Sequence, residues 1–236
     1  LYQFHNLPIR DFEQVFGPDG AWRALDEARA DGRVGHIGVT AHSLEALERL
    51  INEYGDRIET VMFPYNIVET QGHDVLSRAR ELGIGTIAMK PLAGGNLDDA
   101  TLALRFIAAS GVCDISLPGM GSPEEVEQNA AAALTFSPLT SEEQARCEAI
   151  RRELGSTFCR RCGYCAPCTV GIDIPSSFLM ANYLRRYNLA GWARDRYKSL
   201  AHHAGECVEC GACEGRCPYE LPIREMLRGV AADFGF

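Results

Sequence analysis

Residues 159–168 read CRRCGYCAPC, and residues 207–218 read CVECGACEGRCP. Eight of the ten cysteines lie in these two runs: Cys159, Cys162, Cys165 and Cys168, then Cys207, Cys210, Cys213 and Cys217. The second run has the spacing C-x2-C-x2-C-x3-C-P, the bacterial ferredoxin pattern for a [4Fe–4S] cluster. Thiolates at i, i+3 and i+6 of a tight loop can reach three irons of one cube. In two-cluster ferredoxins the fourth cysteine, before the proline, ligates the other cube. Two such runs predict two [4Fe–4S] clusters. Cys159, Cys162, Cys165 and Cys217 are expected on one, and Cys168, Cys207, Cys210 and Cys213 on the other. Zinc competes, because C-x2-C pairs also build tetrahedral zinc sites, although the third cysteine of each run is superfluous for it. Disulfides are the other alternative, but C-x2-C neighbours rarely suit bridge geometry. The first run departs from the pattern by ending Cys168-Thr169 where the second ends Cys217-Pro218, which leaves Cys168 less fixed in role than Cys217.

The remaining thiols, Cys113 and Cys147, are isolated and read as buried small hydrophobes. Between the cysteine runs the pattern is helical, roughly 176–189 and 191–203. Tyr183, Tyr187, Trp192 and Tyr197 fall there and are expected to pack around the clusters and against the preceding domain. His202 and His203 stand beside a complete cysteine set and read as solvated polar residues.

Upstream, residues 1 to about 138 alternate strand and helix. Short apolar runs bounded by turn residues predict strands at 1–5, 35–40, 60–65, 85–90 and 114–117. Leu44, Leu47, Leu50 and Ile51 repeat at helical spacing after Ser43, a candidate N-cap. Residues 74–82 and 98–109 behave alike. Ser122-Pro123-Glu124-Glu125 reads as a capping box with proline at the first helical position, and Thr140 with Glu143 as a second box for a helix to about residue 154. Repeated strand–helix units imply a parallel sheet covered by helices. Gly94-Gly95 and Gly119-Met120-Gly121-Ser122, after the last two strands, favour a (β/α)8 barrel, whose final loops often bind phosphate. Simple turn chemistry of any α/β protein explains the same glycines.

Composition sets outer bounds. The chain has 236 residues, 46% hydrophobic and 23% charged, enough for one large domain and one small one. A net charge of -9 without a basic stripe argues against nucleic acid. No apolar run approaches the ~20 residues that span a bilayer, so no membrane partner is expected. Cluster thiolates point to a reducing compartment, and a cytoplasmic location is expected. The chain opens on Leu1 in a strand-like run, which suggests a preceding part.

The whole chain resembles the aldo/keto reductase family, in the branch with a C-terminal ferredoxin-like domain. LYQFHNL is similar to the fourth barrel strand and its active-site histidine. HIGVTAHS, MFPYN, IAMKPLAGG and SLPGMGSPEEVEQN resemble the next four strands and loops, in order, and the two cysteine runs match the appended domain. The resemblance implies the C-terminal five strands of a (β/α)8 TIM barrel at 1–138, a connecting helix at 139–158, and a small α-helical ferredoxin-type domain at 159–236. It implies an oxidoreductase that reduces a small carbonyl with NAD(P)H or exchanges electrons with a redox partner protein. His5 takes the position of the catalytic histidine. The family's tyrosine, lysine and aspartate belong to three earlier βα units, about 90 residues at ~31 per unit. Without them, an unclosed sheet is expected to be inactive alone.

Asn129 fits the family's adenine-side asparagine, the amides of Gly119, Met120 and Ser122 at the helix start suit an anion such as a cofactor phosphate, and Lys90 either approaches the cofactor phosphates or is simply solvated. Thr40, Ala41 and Met62 stand where polar side chains usually grip the nicotinamide carboxamide, and Met89 where an aromatic ring stacks. Gly119 and Glu125 stand where lysine and arginine read a 2′-phosphate; a carboxylate there repels it, which favours NADH over NADPH. Hydride carries two electrons and a [4Fe–4S] cluster passes one, so a flavin mediator is a further expectation. The alternatives are an electron-transfer module, or structural clusters, with a barrel that has no reductase chemistry.

Overall fold

The five apolar runs form one parallel sheet in the computed structural model, which describes residues 1–135, 137–155, 157–187 and 189–235. The strands are β1 (Tyr2–Phe4), β2 (Ile37–Thr40), β3 (Thr60–Pro64), β4 (Gly85–Met89) and β5 (Ile115–Leu117), each hydrogen-bonded to its neighbour in chain order. Tyr2 pairs with Ile37, Gly38 with Thr60, Thr60 with Gly85, and Ile87 with Ile115. The order never reverses, which separates this sheet from doubly wound ones with their switch point. Between the strands run α1 (Phe12–Phe16), α2 (Ala21–Ala30), α3 (Leu44–Tyr54), α4 (His73–Glu81) and α5 (Ala100–Ser110), followed by α6 (Pro123–Ala133) and α7 (Ser141–Gly155).

Local chemistry fixes these elements. The Ser43 hydroxyl accepts from the Ala46 amide at 3.2 Å and starts α3, whose Ala46, Leu47, Leu50 and Ile51 are buried. Val61 and Phe63 on β3 are fully buried and alternate with half-buried Thr60 and Met62. Phe63 and Leu47 both close on Gly72, so this strand face meets the helices. Phe16 stacks on Tyr54 at 3.8 Å and lies 4.8 Å from Trp22. Strands β2 and β3 approach so closely that a Cβ at Gly38 would collide with Thr60 Oγ1 and stand 2.9 Å from the Thr60 carbonyl oxygen. Thr140 and Glu143 make the reciprocal box at the start of α7, 2.8 and 3.2 Å. At α6 the box is altered: Ser122 Oγ takes the Glu125 amide, but the Glu125 carboxylate takes the Gly121 amide.

The chain divides into two units, Leu1–Ala93 with Leu97–Gln144, and Gly94–Asn96 with Ala145 onward. The division falls inside α7. The second unit holds α8 (Ile174–Arg186), α9 (Ala190–Lys198), α10 (Ala212–Gly215) and α11 (Ile223–Phe234). The helix expected over 191–203 stops at Lys198, and residue 188, inside the expected 176–189 stretch, lies outside the described residues. Asp173 caps α8 by accepting from the Ser176 amide at 3.1 Å. Among the described residues no helix is long and apolar enough to cross a membrane.

Two tests follow from the first unit. Leu50 is fully buried, so Leu50→Ala should cost about 2–5 kcal/mol in urea unfolding; a loss under ~1 kcal/mol would contradict this core. Glu143 is held down at about 2, first by hydrogen bonds from the Arg105 guanidinium (2.8 Å) and then by the Thr140 amide. A depressed carboxylate stabilises the fold fully above its ordinary 4.5 and loses that contribution as pH falls through about 2. Glu143→Gln should therefore lose less Tm than the unaltered chain between about pH 5 and pH 2. Equal acid slopes would refute the pairing.

Candidate metal centre

The C-terminal ends of parallel strands are where catalytic groups gather in barrels. Here those ends carry His5 after β1, His42 after β2, Asn66 and Glu69 after β3, Lys90 after β4 and Gly119–Ser122 after β5. His5 is exposed. Asn6 beside it has φ 50 and gives its amide to Thr40 Oγ1 at 2.6 Å. Lys90, with φ 55, is half-buried and its Nζ lies 3.1 Å from His42 Nδ1. The Asn66 side chain is fully buried. It donates to Glu69 Oε2 and the Lys90 carbonyl, both at 2.9 Å, and accepts from the Val68 and Glu69 amides. Glu69 is fully buried, and its Oε1 has no hydrogen-bond partner among the described residues. Gly119 and Met120 are exposed, Asn129 is buried on α6, and Ser122 is spent as the α6 cap. The amides at that helix start face the chain's own carboxylates: Glu125 holds the Gly121 amide at 2.6 Å. Glu124 is lowered by its own backbone amide and then by Ser122.

In the second unit the eight cysteines form two crossed sets. Cys159, Cys162, Cys165 and Cys217 line one small cavity. Cys168, Cys207, Cys210 and Cys213 line another of similar size. Each cavity thus takes three sulfurs from one run and one from the other. Phe178 and Leu221 wall the first, Val170 and Leu227 the second, and Ile174 lines both. Cys165 and Cys213 belong to the apolar core with Ile172, Phe178, Leu227 and Phe234. All ten cysteines are free thiols. Among the described residues no three metal-ligating side chains close on a single ion-sized point. Zinc would need its sulfurs ≈ 2.3 Å from one centre. Sulfurs spread around a void suit a cube that binds each thiolate at its own corner.

The two loops repeat one conformation. Arg161 and Glu209 precede the second cysteine of each run with φ 58 and 53, and Gly163 and Gly211 follow it with φ 86 and 75. The turns point successive sulfurs inward, and the glycines meet the left-handed geometry at least cost. Burial pushes the Cys159 and Cys213 thiols up, and Cys165 up to about 11. Cys210, exposed, is lowered first by the Thr169 hydroxyl at 3.2 Å and then by the Ala212 amide. Metal binding would displace protons from the buried thiols. Arg216 braces both loops, donating to the carbonyls of Cys165 (2.8 Å) and Pro167 (2.6 Å). Arg224 clamps Glu214, joining α10 to α11.

Neither histidine near the second run approaches these cavities. His202 Nδ1 pairs with Glu206 at 2.8 Å, and His203 Nε2 donates to the Tyr197 carbonyl at 3.1 Å. Tyr183 packs edge-on to Tyr187 and Trp192, and Tyr197 stacks on Phe234 at 3.9 Å. Cys147 is buried on α7, and Cys113 packs on the first core, where burial pushes its thiol up to about 12. Sequence reasoning missed His42, Asn66, Glu69, Arg161 and Arg216. It also missed α11, although Ile223, Leu227, Val230 and Phe234 recur at helical spacing.

Comparison with known proteins finds counterparts for both the parallel sheet and the cysteine-rich unit. Residues 1–101 match the model of the aldo/keto reductase family, and residues 158–222 that of a 4Fe-4S dicluster domain. The chain is 32% identical over 108 residues to the uncharacterized oxidoreductase YrpG of Bacillus subtilis (strain 168), covering 43% of this chain and 31% of that protein. In fold it is similar to the aldo-keto reductase AKR11C1 from Bacillus halodurans. The holo form gives a TM-score of 0.51 at 22% identity, over 63% of this chain and 59% of that one. The apo form gives 0.50 at 22% identity, over 63% and 60%. The chain therefore spans about a third and three-fifths of these relatives' lengths.

The crossed sets make a sharp forecast. Cys159→Ser with Cys217→Ser should halve bound iron after anaerobic reconstitution, from about eight to about four per chain, the content of one remaining cubane cluster. Were each run to fill its own site, the same double variant would damage both, and iron would fall well below half.

Proposed function

We propose that this chain is an iron–sulfur oxidoreductase of the aldo/keto reductase type. The single observation that carries the reading is the convergence of four thiols on each of two apolar cavities. In this reading Cys159, Cys162, Cys165 and Cys217 hold one [4Fe–4S] cluster, and Cys168, Cys207, Cys210 and Cys213 the other. Bound clusters supply one-electron chemistry. Ile174 keeps water out of both sites, and Arg216 fixes the two loops to each other. At the strand ends, His5 orients a small carbonyl substrate, and the Lys90–His42 pair offers a polar contact for a cofactor. Asn129 serves the adenine side. Glu125 opposes a 2′-phosphate, which favours NADH over NADPH, and a flavin mediator reconciles hydride with single electrons.

A second reading draws on specific observations. The Thr40 hydroxyl is engaged by the Asn6 amide, Ala41 and Met62 offer no polar grip, and carboxylates hold the α6 amides. These features favour an electron-transfer module that exchanges electrons with a redox partner protein and has no carbonyl chemistry at the sheet.

The full-length protein with reconstituted clusters separates the two. NADH consumption with a panel of aldehydes and ketones, reduced at least tenfold in kcat/KM by His5→Ala, supports the first. No consumption with iron intact defeats it. The second then requires reversible reduction and rapid exchange with a ferredoxin or flavodoxin, and clusters silent in voltammetry remove it.

A further inference from the structure

We propose that Thr169 raises the reduction potential of the cluster held by Cys168, Cys207, Cys210 and Cys213 by donating its hydroxyl hydrogen to the Cys210 sulfur. This rests on the cluster assignment above. The starting observation is the place where the first cysteine run departs from the second, Cys168-Thr169 against Cys217-Pro218. Both pairs open the same turn. The Gly171 amide returns to the Cys168 carbonyl at 3.1 Å, and the Glu220 amide to the Cys217 carbonyl at 3.2 Å. Gly171 and Glu220 both have positive φ, 82 and 51. Thr169 and Pro218 thus share one turn position, the second, where proline is favoured because its ring presets φ. Threonine gives up that preorganisation and brings a hydroxyl, and the hydroxyl is engaged: Thr169 Oγ1 lies 3.2 Å from Cys210 Sγ. Both residues line the second cavity. A sulfur that ligates iron is a thiolate without a proton, so the threonine is the donor.

The first cavity has no counterpart to this contact at the equivalent turn position. Pro218 lines it together with Cys162, the middle-of-run partner that corresponds to Cys210, and proline has neither a hydroxyl nor an amide hydrogen to offer. Cations stand on both sides and act on each site as a whole. Arg160 lines the first cavity and lies over the Tyr219 ring at 4.0 Å. Arg216 and Arg224 line the second, where Arg216 is spent on the Cys165 and Pro167 carbonyls and Arg224 is neutralised by Glu214 at 2.8 Å. Reduction brings one electron to a site already negative; no bond breaks, and the Thr169 proton stays on its oxygen. Part of the added charge falls on the sulfurs, and cluster potentials follow hydrogen bonding to them. A hydrogen bond strengthens as its acceptor becomes more negative, so the hydroxyl favours the reduced state. Cys210 is exposed, and water competes for the same lone pairs, which keeps the effect moderate.

The test is a potentiometric titration of the reconstituted full chain with dithionite, followed by EPR, with iron and acid-labile sulfide measured on each sample. Thr169→Val keeps the shape and removes the hydroxyl. It should shift one reduction equilibrium at least about threefold toward the oxidised form, about 28 mV at 59 mV per tenfold for a one-electron couple, and leave the other in place. Thr169→Ser should retain most of the native value. Thr169→Pro removes the same hydroxyl in a turn that the second loop already uses, so it stands in if Thr169→Val fails to load iron. Unchanged midpoints at full iron content, or equal movement of both, overturn the proposal and leave the cluster assignment standing. A shift confined to the midpoint that the Cys159→Ser, Cys217→Ser variant loses also overturns it, because that midpoint belongs to the other cluster. Loss of a cluster from both hydroxyl-free variants overturns it too. Absence of iron and sulfide from the unaltered chain would instead overturn the cluster assignment.

Discussion

The second unit depends on one constraint: neither cysteine loop can complete its own cavity. Cys217 closes the set begun by Cys159, and Cys168 closes the set begun by Cys207. The loops must therefore be held face to face, and much of the surrounding chemistry does this. Arg216 reaches from the second loop to two carbonyls of the first, and Arg224 secures α10 against α11. Helix α8 places Ile174 against both cavities. The apolar core is small and includes Cys165 and Cys213 themselves. A domain with so little buried hydrocarbon gains much of its order from whatever the thiols hold.

The first unit obeys different physics. Its inner strands β2, β3 and β4 are the buried ones, and its order comes from apolar side chains such as Leu47, Phe63 and Trp22. Polar groups concentrate at the strand ends, as Asn66 illustrates. Its four hydrogen bonds fix the loop after β3 and hold the Lys90 carbonyl from below. That network ties the two segments that carry Lys90 and Glu69.

Much of this was legible in the sequence because the signals were local. Five apolar runs gave five strands to within two residues at either end, and Ser43, Ser122 and Thr140 each cap the helix they precede. The cysteine spacing pointed to crossed sets, and the thiols converge in that arrangement. What remained hidden was long-range or conformational. Nothing in the string reveals that Lys90 meets His42, 48 residues away, or that Arg216 reaches back to Pro167. Arg161 and Glu209 read as ordinary surface charges until their backbone angles are seen. Helix α11 was overlooked because the cysteines drew the eye from the apolar spacing that follows them.

The exchange of one sulfur between the loops also has a temporal side. A ribosome delivers Cys168 well before Cys217, and at ~5–20 residues per second the interval is roughly 2 to 10 s. During that time the earlier loop exposes three thiols to a void that cannot yet be closed. Closure of the Cys159 set has to wait for Cys217, and a nascent chain stalled before that residue would leave the three earlier thiols of the set uncovered.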